Sequence, residues 1–206
     1  MLMRYKVTMW IFCIVGGFLS GSIMYSYLIP RFLLNRDVTA LSEDRNPGAS
    51  NVFTNCGPLW GVLCLSLDIL KGFIPVFISY HLLNTENLWF GLVMAAPVLG
   101  HAIAPLNHFR GGKCIATSFG VLLGLFPVSH IVIVLAVIYI AFSTVLKINP
   151  NRLRSIEAFG LFGLISLIIL LHRCQYSVAV GCVLISLTAI WKHSKRCIRR
   201  ACEAVR

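Results

Sequence analysis

Along the 206-residue chain, polar positions gather in short clusters that separate long apolar runs. A helix crossing a bilayer needs about 20 mostly apolar residues in succession, whereas a half-buried strand alternates apolar and polar positions. The runs here are continuous, and they fall at 7–29, 58–80, 88–104, 114–129, 130–147, 155–172 and 175–191. Each predicts a helix, and together they predict an all-α polytopic membrane bundle of about seven transmembrane helices. The fourth and fifth runs meet at Pro127, Val128 and Ser129, a junction short enough to leave open one long kinked segment and six spans. The first run follows Arg4 and Lys6 and reaches Ser20, Gly21 and Ser22, as a cleaved signal peptide would. Apolar sequence resumes from Met24 to Ile29, so a retained helix is expected. No internal repeat or low-complexity linker divides the chain, which reads as one domain over 1–206.

Composition agrees with the pattern. Hydrophobic residues make up 58% of the chain and charged ones 12%, against about a quarter charged in soluble domains. With seven spans, no sizeable soluble domain fits, and neither does a disulfide-stapled secreted fold. A nucleic-acid-binding domain is excluded too, despite the formal charge of +11. Lys and Arg in short loops mark the cytoplasmic face. Arg31, Arg36, Arg45, Arg110, Lys113, Lys147, Arg152, Arg154 and the six basic residues from Lys192 onward fall on one predicted face, leaving Arg4, Lys6 and Arg173 opposite and Lys71 within a span. This parity predicts an outside N-terminus, a cytoplasmic C-terminus and a plasma-membrane protein whose basic tail rests on anionic lipid. The eight cysteines show no metal-ligand spacing, so reduced thiols and no metal site are expected. Gly17 with Gly21, and Gly120 with Gly124, form GxxxG pairs suited to close helix packing.

Four polar clusters map to the cytoplasmic face. The first runs from Glu43 to Asn51. There Pro47 and Gly48 shape a turn, while Asn46, Ser50 and Asn51 offer hydrogen bonds, either to an anion or as an ordinary cap of the next helix. The second joins Gly100-His101 to Phe109-Arg110-Gly111-Gly112-Lys113 and Ala116-Thr117, setting cations among glycines as a phosphate site requires, although the P-loop spacing is absent. The third is Asp68 and Lys71, three apart on one face of an apolar span, a structural ion pair or a group beside a polar cavity. The fourth holds Arg152, Arg154, Ser155 and Glu157 at the mouth of the sixth span. His101 and His193 stand beside these clusters as acid, base or hydrogen-bond donors.

Taken together, the clusters resemble the seven-span acyl-phosphate:glycerol-3-phosphate acyltransferase family of bacterial membranes. Its first motif reads approximately GSGNxGATN, and Asn46-Pro47-Gly48-Ala49-Ser50-Asn51 reproduces the second half with Ser for Thr. Asp68-Ile69-Leu70-Lys71-Gly72 resembles DxxKG. The second motif, GH followed by FKGGKGVAT, returns as Gly100-His101 and Phe109-Arg110-Gly111-Gly112-Lys113-Cys114-Ile115-Ala116-Thr117. Ser155 falls where a serine-containing third motif is expected, and His193 resembles the start of a C-terminal HxxN element. The chain departs from the family at Glu43-Asp44-Arg45, at Thr54 where an arginine is usual, at Cys114 in place of glycine, and at Arg196 in place of asparagine. Arg45 or Arg154 is then expected to supply the missing charge.

The resemblance implies transfer of a fatty acyl group from acyl phosphate to the sn-1 hydroxyl of glycerol 3-phosphate, without a cofactor or metal, at the cytoplasmic face of the inner membrane. It implies catalytic roles for His101, Lys113, Ser155 and His193. Substrate contacts fall to Arg45, Asn46, Gly48, Ser50, Asn51, Asp68, Lys71, Arg110, Gly111, Gly112 and Thr117. No Ser/His/Asp or Cys/His nucleophile is evident, which favours direct attack. The alternatives are a small transporter of an anionic metabolite, which should carry inverted repeats or paired broken helices, and an inactive relative.

Overall fold

A computed structural model describes the backbone of residues 2–204 and the side chains of residues 7–194. The expected basic flanks at Arg4, Lys6 and from Lys195 onward, with Cys197 and Cys202, lie outside the described side chains. Among the described residues the chain is helical, with no strand. The helices are α1 (Leu2–Ser22), α2 (Tyr25–Leu33), α3 (Val38–Leu41), α4 (Ala49–Cys56), α5 (Pro58–Leu82), α6 (Phe90–Ile103), α7 (Ile115–Gly124), α8 (Val132–Ile140), α9 (Asn151–His172) and α10 (Tyr176–Ala204).

Four segments, Pro58–Leu82, Phe90–Asn107, Asn151–His172 and Tyr176–Ser194, are long and apolar enough to cross a membrane. Their starts and ends lie within a few residues of four of the expected runs. The first run differs: helix breaks at Ile23 and Met24, and the two pieces Val7–Ser22 and Tyr25–Leu33 bend by 44°, making a fifth span only if they count as one. The fourth and fifth runs give the shorter apolar helices Ile115–Gly124 and Val132–Val145. At about 1.5 Å per residue α7 rises only about 15 Å, half of a hydrocarbon core. Between them Ser129 donates its backbone amide to the Leu125 carbonyl at 2.8 Å, closing the turn at the Pro127 junction.

The spans meet through glycines. A Cβ on Gly21 would stand 2.0 Å from the Pro97 carbonyl oxygen and one on Gly100 2.0 Å from that of Phe18, which brings the backbones of α1 and α6 together. The same device joins α5 to α7, because a Cβ on Gly72 would meet the Thr117 carbonyl oxygen at 2.5 Å and one on Gly120 that of Ile69 at 2.0 Å. Backbone cannot yield as a flexible side chain can. Gly120→Ala is therefore expected to cost about 1–3 kcal/mol by overpacking, seen as a lower thermal midpoint of the purified protein. An unchanged midpoint would mean that α5 and α7 have room to part.

Beyond these contacts Phe90, Met94, Leu122, Leu135, Phe159 and Phe162 are fully buried in one cluster drawn from α6 to α9. Phe12, Ile78, Val137, Leu164 and Ile168 stay exposed on the outside of the bundle. Apolar surface of that extent suits lipid rather than water.

Candidate active site

The turn before α4 is built on Asp44. Its Oδ1 accepts from the Asn46 backbone amide at 3.1 Å and from Asn51 Nδ2 at 2.8 Å, and Asn51 Nδ2 also donates to the Asn46 carbonyl at 2.8 Å. The Asn46 amide group lies over Gly48, where a Cβ would come within 2.5 Å of its Nδ2. Asn46 and Pro47 are buried, whereas Arg45 and Ser50 are exposed. Gly48 caps α4 without a side chain, so the first turn of the helix carries no side-chain acceptor.

Lys113 joins this turn to the second cluster, its Nζ lying 2.7 Å from Asp44 Oδ2. Burial pushes the Asp44 carboxyl up, but hydrogen bonds from Lys113 and Asn51, with the Lys113 charge and the Asn46 amide, outweigh it and hold it down at about 2. A depressed carboxyl favours the fold once ionised, so this contribution is complete above pH ~4 and fades as pH falls toward 2. Lys113 ends a tightly wound loop. Ala104, His108, Phe109 and Cys114 all take positive φ, Asn107 Nδ2 donates to the Arg110 carbonyl at 2.9 Å, and the Gly112 amide donates to the His101 carbonyl at 3.1 Å.

The two glycines fit because they lack Cβ atoms. One on Gly111 would lie 2.2 Å from the Ala102 carbonyl oxygen, and one on Gly112 2.2 Å from His101 Nε2. Gly111→Ala must therefore displace the Lys113 loop from α6. It is expected to cost about 1–3 kcal/mol of stability, read by thermal unfolding; an unchanged midpoint would free the loop from this constraint. Cys114 sits at φ +67° as the residue capping α7, a conformation glycine adopts without strain.

A chain of contacts continues across the same end of the bundle. His101 is buried with no partner for Nδ1 among the described residues, and Lys192 Nζ donates to the carbonyl of the adjoining Ala102. Next to Lys192, the His193 carbonyl accepts from Arg152 Nε at 2.9 Å. One turn along α9, Ser155 Oγ donates to the Asn151 carbonyl at 2.9 Å and accepts from Tyr139 Oη at 2.8 Å. Arg154 Nη2 meets Asn151 Oδ1 at 2.5 Å. Arg45 and Arg110 are exposed and make no ion pair among the described residues. Thus the first, second and fourth clusters are joined by contacts among the starts of α4, α7 and α9, the ends of α6 and α8, and the part of α10 around Lys192 and His193.

The third cluster is sealed among helices beside the second, with Lys71 in electrostatic range of His101 and Cys114. Asp68 and Lys71 pair at 2.8 Å with side chains 2% and 1% exposed. Lys71 Nζ donates to the Ile23 carbonyl at 2.6 Å, and Ser26 Oγ donates to Asp68 Oδ2 at 2.6 Å. Ser20 Oγ reaches the Lys71 carbonyl at 2.9 Å. The pair thus holds both sides of the α1–α2 break. Thr117 is fully buried against Gly72 between α5 and α7, and its hydroxyl has no partner among the described residues. Thr54 is exposed and lines a cleft of about 580 Å³ with Asn35, Arg36, Asp37, Ala40, Leu41 and Asn55.

Asp44, Tyr139 and Lys192 join these contacts without being among the site residues expected from the sequence. An aspartate two residues before Asn46 was one available signal, since that spacing favours a side-chain-to-backbone turn. A lone tyrosine in the aliphatic stretch of α8 was another. Among the described residues no three His, Cys, Asp or Glu side chains gather as a metal site would require.

Known proteins resemble this chain over most of its length. The family model described as glycerol-3-phosphate acyltransferase matches residues 11–203. A glycerol-3-phosphate acyltransferase of Idiomarina loihiensis is 34% identical over 90% of this chain and 89% of its own. The match to that of a Hydrogenobaculum species, at 36% identity, covers 55% of this chain and spans 57% of the relative. Two crystal structures of PlsY (YgiH), an integral membrane glycerol 3-phosphate acyltransferase, superpose with 26% identity over 94% of this chain and 92% of theirs. The TM-score is 0.76 for the lysophosphatidic acid form and 0.78 for the glycerol 3-phosphate form.

Proposed function

The chain is an acyltransferase of the glycerol-3-phosphate acyltransferase family, and from that premise we propose that it moves a fatty acyl group from acyl phosphate to the sn-1 hydroxyl of glycerol 3-phosphate. The products are lysophosphatidate and phosphate, and the step serves phospholipid synthesis. The observation that carries this reading is the line of contacts through Asp44, Lys113, Gly112, His101 and Ala102 to Lys192, His193 and Arg152. It draws glycine-rich backbone and cations to one end of a lipid-embedded bundle. The glycerol 3-phosphate form of PlsY supports the acceptor.

An acyl phosphate is an activated mixed anhydride, so the protein's task is to align two anions and neutralise developing charge. The turn of Asn46, Gly48, Ser50 and Asn51 at the start of α4 receives the leaving phosphate, where a helix N-terminus favours negative charge. Lys113 binds the phosphate of the acceptor, and the exposed Arg45 and Arg110 attract both anions. The sn-1 oxygen attacks the acyl carbon, the bond from that carbon to the phosphate oxygen breaks, and phosphate leaves with the electron pair. The hydroxyl proton passes to a phosphate oxygen of the reacting pair, which needs no protein base. His101 presses on Gly112 and so fixes the Lys113 loop, and Ser155 with Tyr139 forms the wall toward α9. Asp68, Lys71 and Thr117 hold helices in place.

We read the bent α1–α2 pair as one crossing and α7 and α8 as two short ones, which makes seven. The N-terminus is then outside, and the C-terminus and site face the cytoplasm across the plasma membrane. The alternation of helix starts and ends around the site supports this count. Purified protein in lipid nanodiscs, given palmitoyl phosphate and labelled glycerol 3-phosphate, should form labelled lysophosphatidate. Product from palmitoyl-CoA alone would overturn the donor assignment.

A further inference from the structure

We propose that Asp44 is an internal anion that competes with substrate phosphate for Lys113 and thereby sets the affinity for glycerol 3-phosphate. The proposal rests on the assignment of Lys113 to substrate phosphate. Among the described residues two lysine–aspartate pairs differ in their surroundings. Asp68 and Lys71 are sealed among helices, whereas the side chains of Asp44 and Lys113 are each 28% exposed, open to whatever approaches that end of the bundle. Asp44 presents Oδ2 to the ammonium at 2.7 Å, much as a phosphate oxygen would. Its other oxygen is tied to Asn46 and Asn51, so the carboxylate is held by the turn and need not follow Lys113 when the lysine turns to another partner.

Charge decides the exchange. A carboxylate carries one negative charge, while a phosphate monoester carries about −1.5 to −2 near neutral pH. A dianionic phosphate can therefore take Lys113 from Asp44, whereas a monoanionic carboxylate of similar size gains nothing by doing so. Asp44 thus lowers the affinity for every anion that Lys113 binds. The turn that opens α4 survives the exchange, because its hydrogen bonds to Asn46 and Asn51 use the oxygen that Lys113 does not touch.

Asp44→Asn keeps the shape and an acceptor oxygen but removes the charge. Binding of labelled glycerol 3-phosphate to the protein in nanodiscs should tighten about three- to fivefold, the range of a partly exposed ion pair. KM should fall by a similar factor while kcat holds, and inorganic phosphate should become a correspondingly stronger competitor. Unchanged or weaker binding would overturn the proposal, and a loss of kcat at constant KM would make Asp44 a positioning residue for Lys113 instead. If Asp44→Asn does not fold, Asp44→Ser is judged by the same binding measurement. Binding needs no turnover, so the competition is decided even if neither protein makes lysophosphatidate. That last result would count against the acyl-transfer reading alone.

Discussion

Lys113→Ala is expected to lower kcat/KM for acyl transfer to glycerol 3-phosphate by about 10²–10³-fold, the usual effect of removing one preorganised charged donor from a reacting anion. The loss has two sources. The substitution removes the ammonium nearest the α4 turn, and it leaves Asp44, its carboxylate still accepting from Asn46 and Asn51, as an unbalanced charge facing anionic substrates. The second source makes a further prediction: adding Asp44→Asn to Lys113→Ala should recover part of the lost rate, since the repulsion disappears while the acceptor that holds the turn stays. Lys113→Arg keeps the charge but replaces a compact ammonium with a planar fork, and should fall between wild type and Ala. Initial rates with purified proteins, matched for thermal midpoint, provide the check. Full turnover by Lys113→Ala would remove the residue from the reaction.

Lys71→Ala should act on stability instead, at a cost of about 3–5 kcal/mol, because it strands a buried carboxylate. Asp68 is 2% exposed and among the described residues would keep only the Ser26 hydroxyl as a hydrogen-bond donor, while the Ile23 carbonyl at the helix break would lose its donor. Unpaired backbone in an apolar interior is itself costly. Replacing both members, as in Asp68→Leu with Lys71→Met, should restore much of the stability, since an apolar pair removes the stranded charge. Thermal unfolding in detergent measures both effects. Were Lys71→Ala as stable as wild type but raised in KM, the pair would belong with substrate and not with the α1–α2 break.

The long spans were legible because an uninterrupted apolar run has one stable conformation in lipid, a helix whose backbone bonds are all internal. The break at Ile23 and Met24 was not, because its cause is remote in sequence: Lys71 supplies the donor that lets α1 end there. Nothing in the apolar stretch from Met24 to Ile29 announces it. Short α7 was hidden for a similar reason. Its neighbours through Gly72 and Gly120 hold it against α5, and hydropathy alone carries no information about that approach. At the candidate site, glycines beside cations and a histidine could be recognised as a phosphate-binding composition, since each residue type serves locally. The pairing of Asp44 with Lys113 could not, because an acid among basic residues reads as a departure until the fold brings the two loops together. Ser155 could be picked out by position, but the Tyr139 hydroxyl that reaches it comes from the preceding helix.

The central claim is that an activated acyl group passes directly from phosphate to glycerol 3-phosphate. Its most direct test measures released inorganic phosphate and labelled lysophosphatidate in the same reaction, with palmitoyl phosphate as donor. The two should rise together in equal amounts and only when glycerol 3-phosphate is present, with the acyl group on the sn-1 oxygen. Phosphate released without the acceptor, or acylated product formed without phosphate release, would contradict the account.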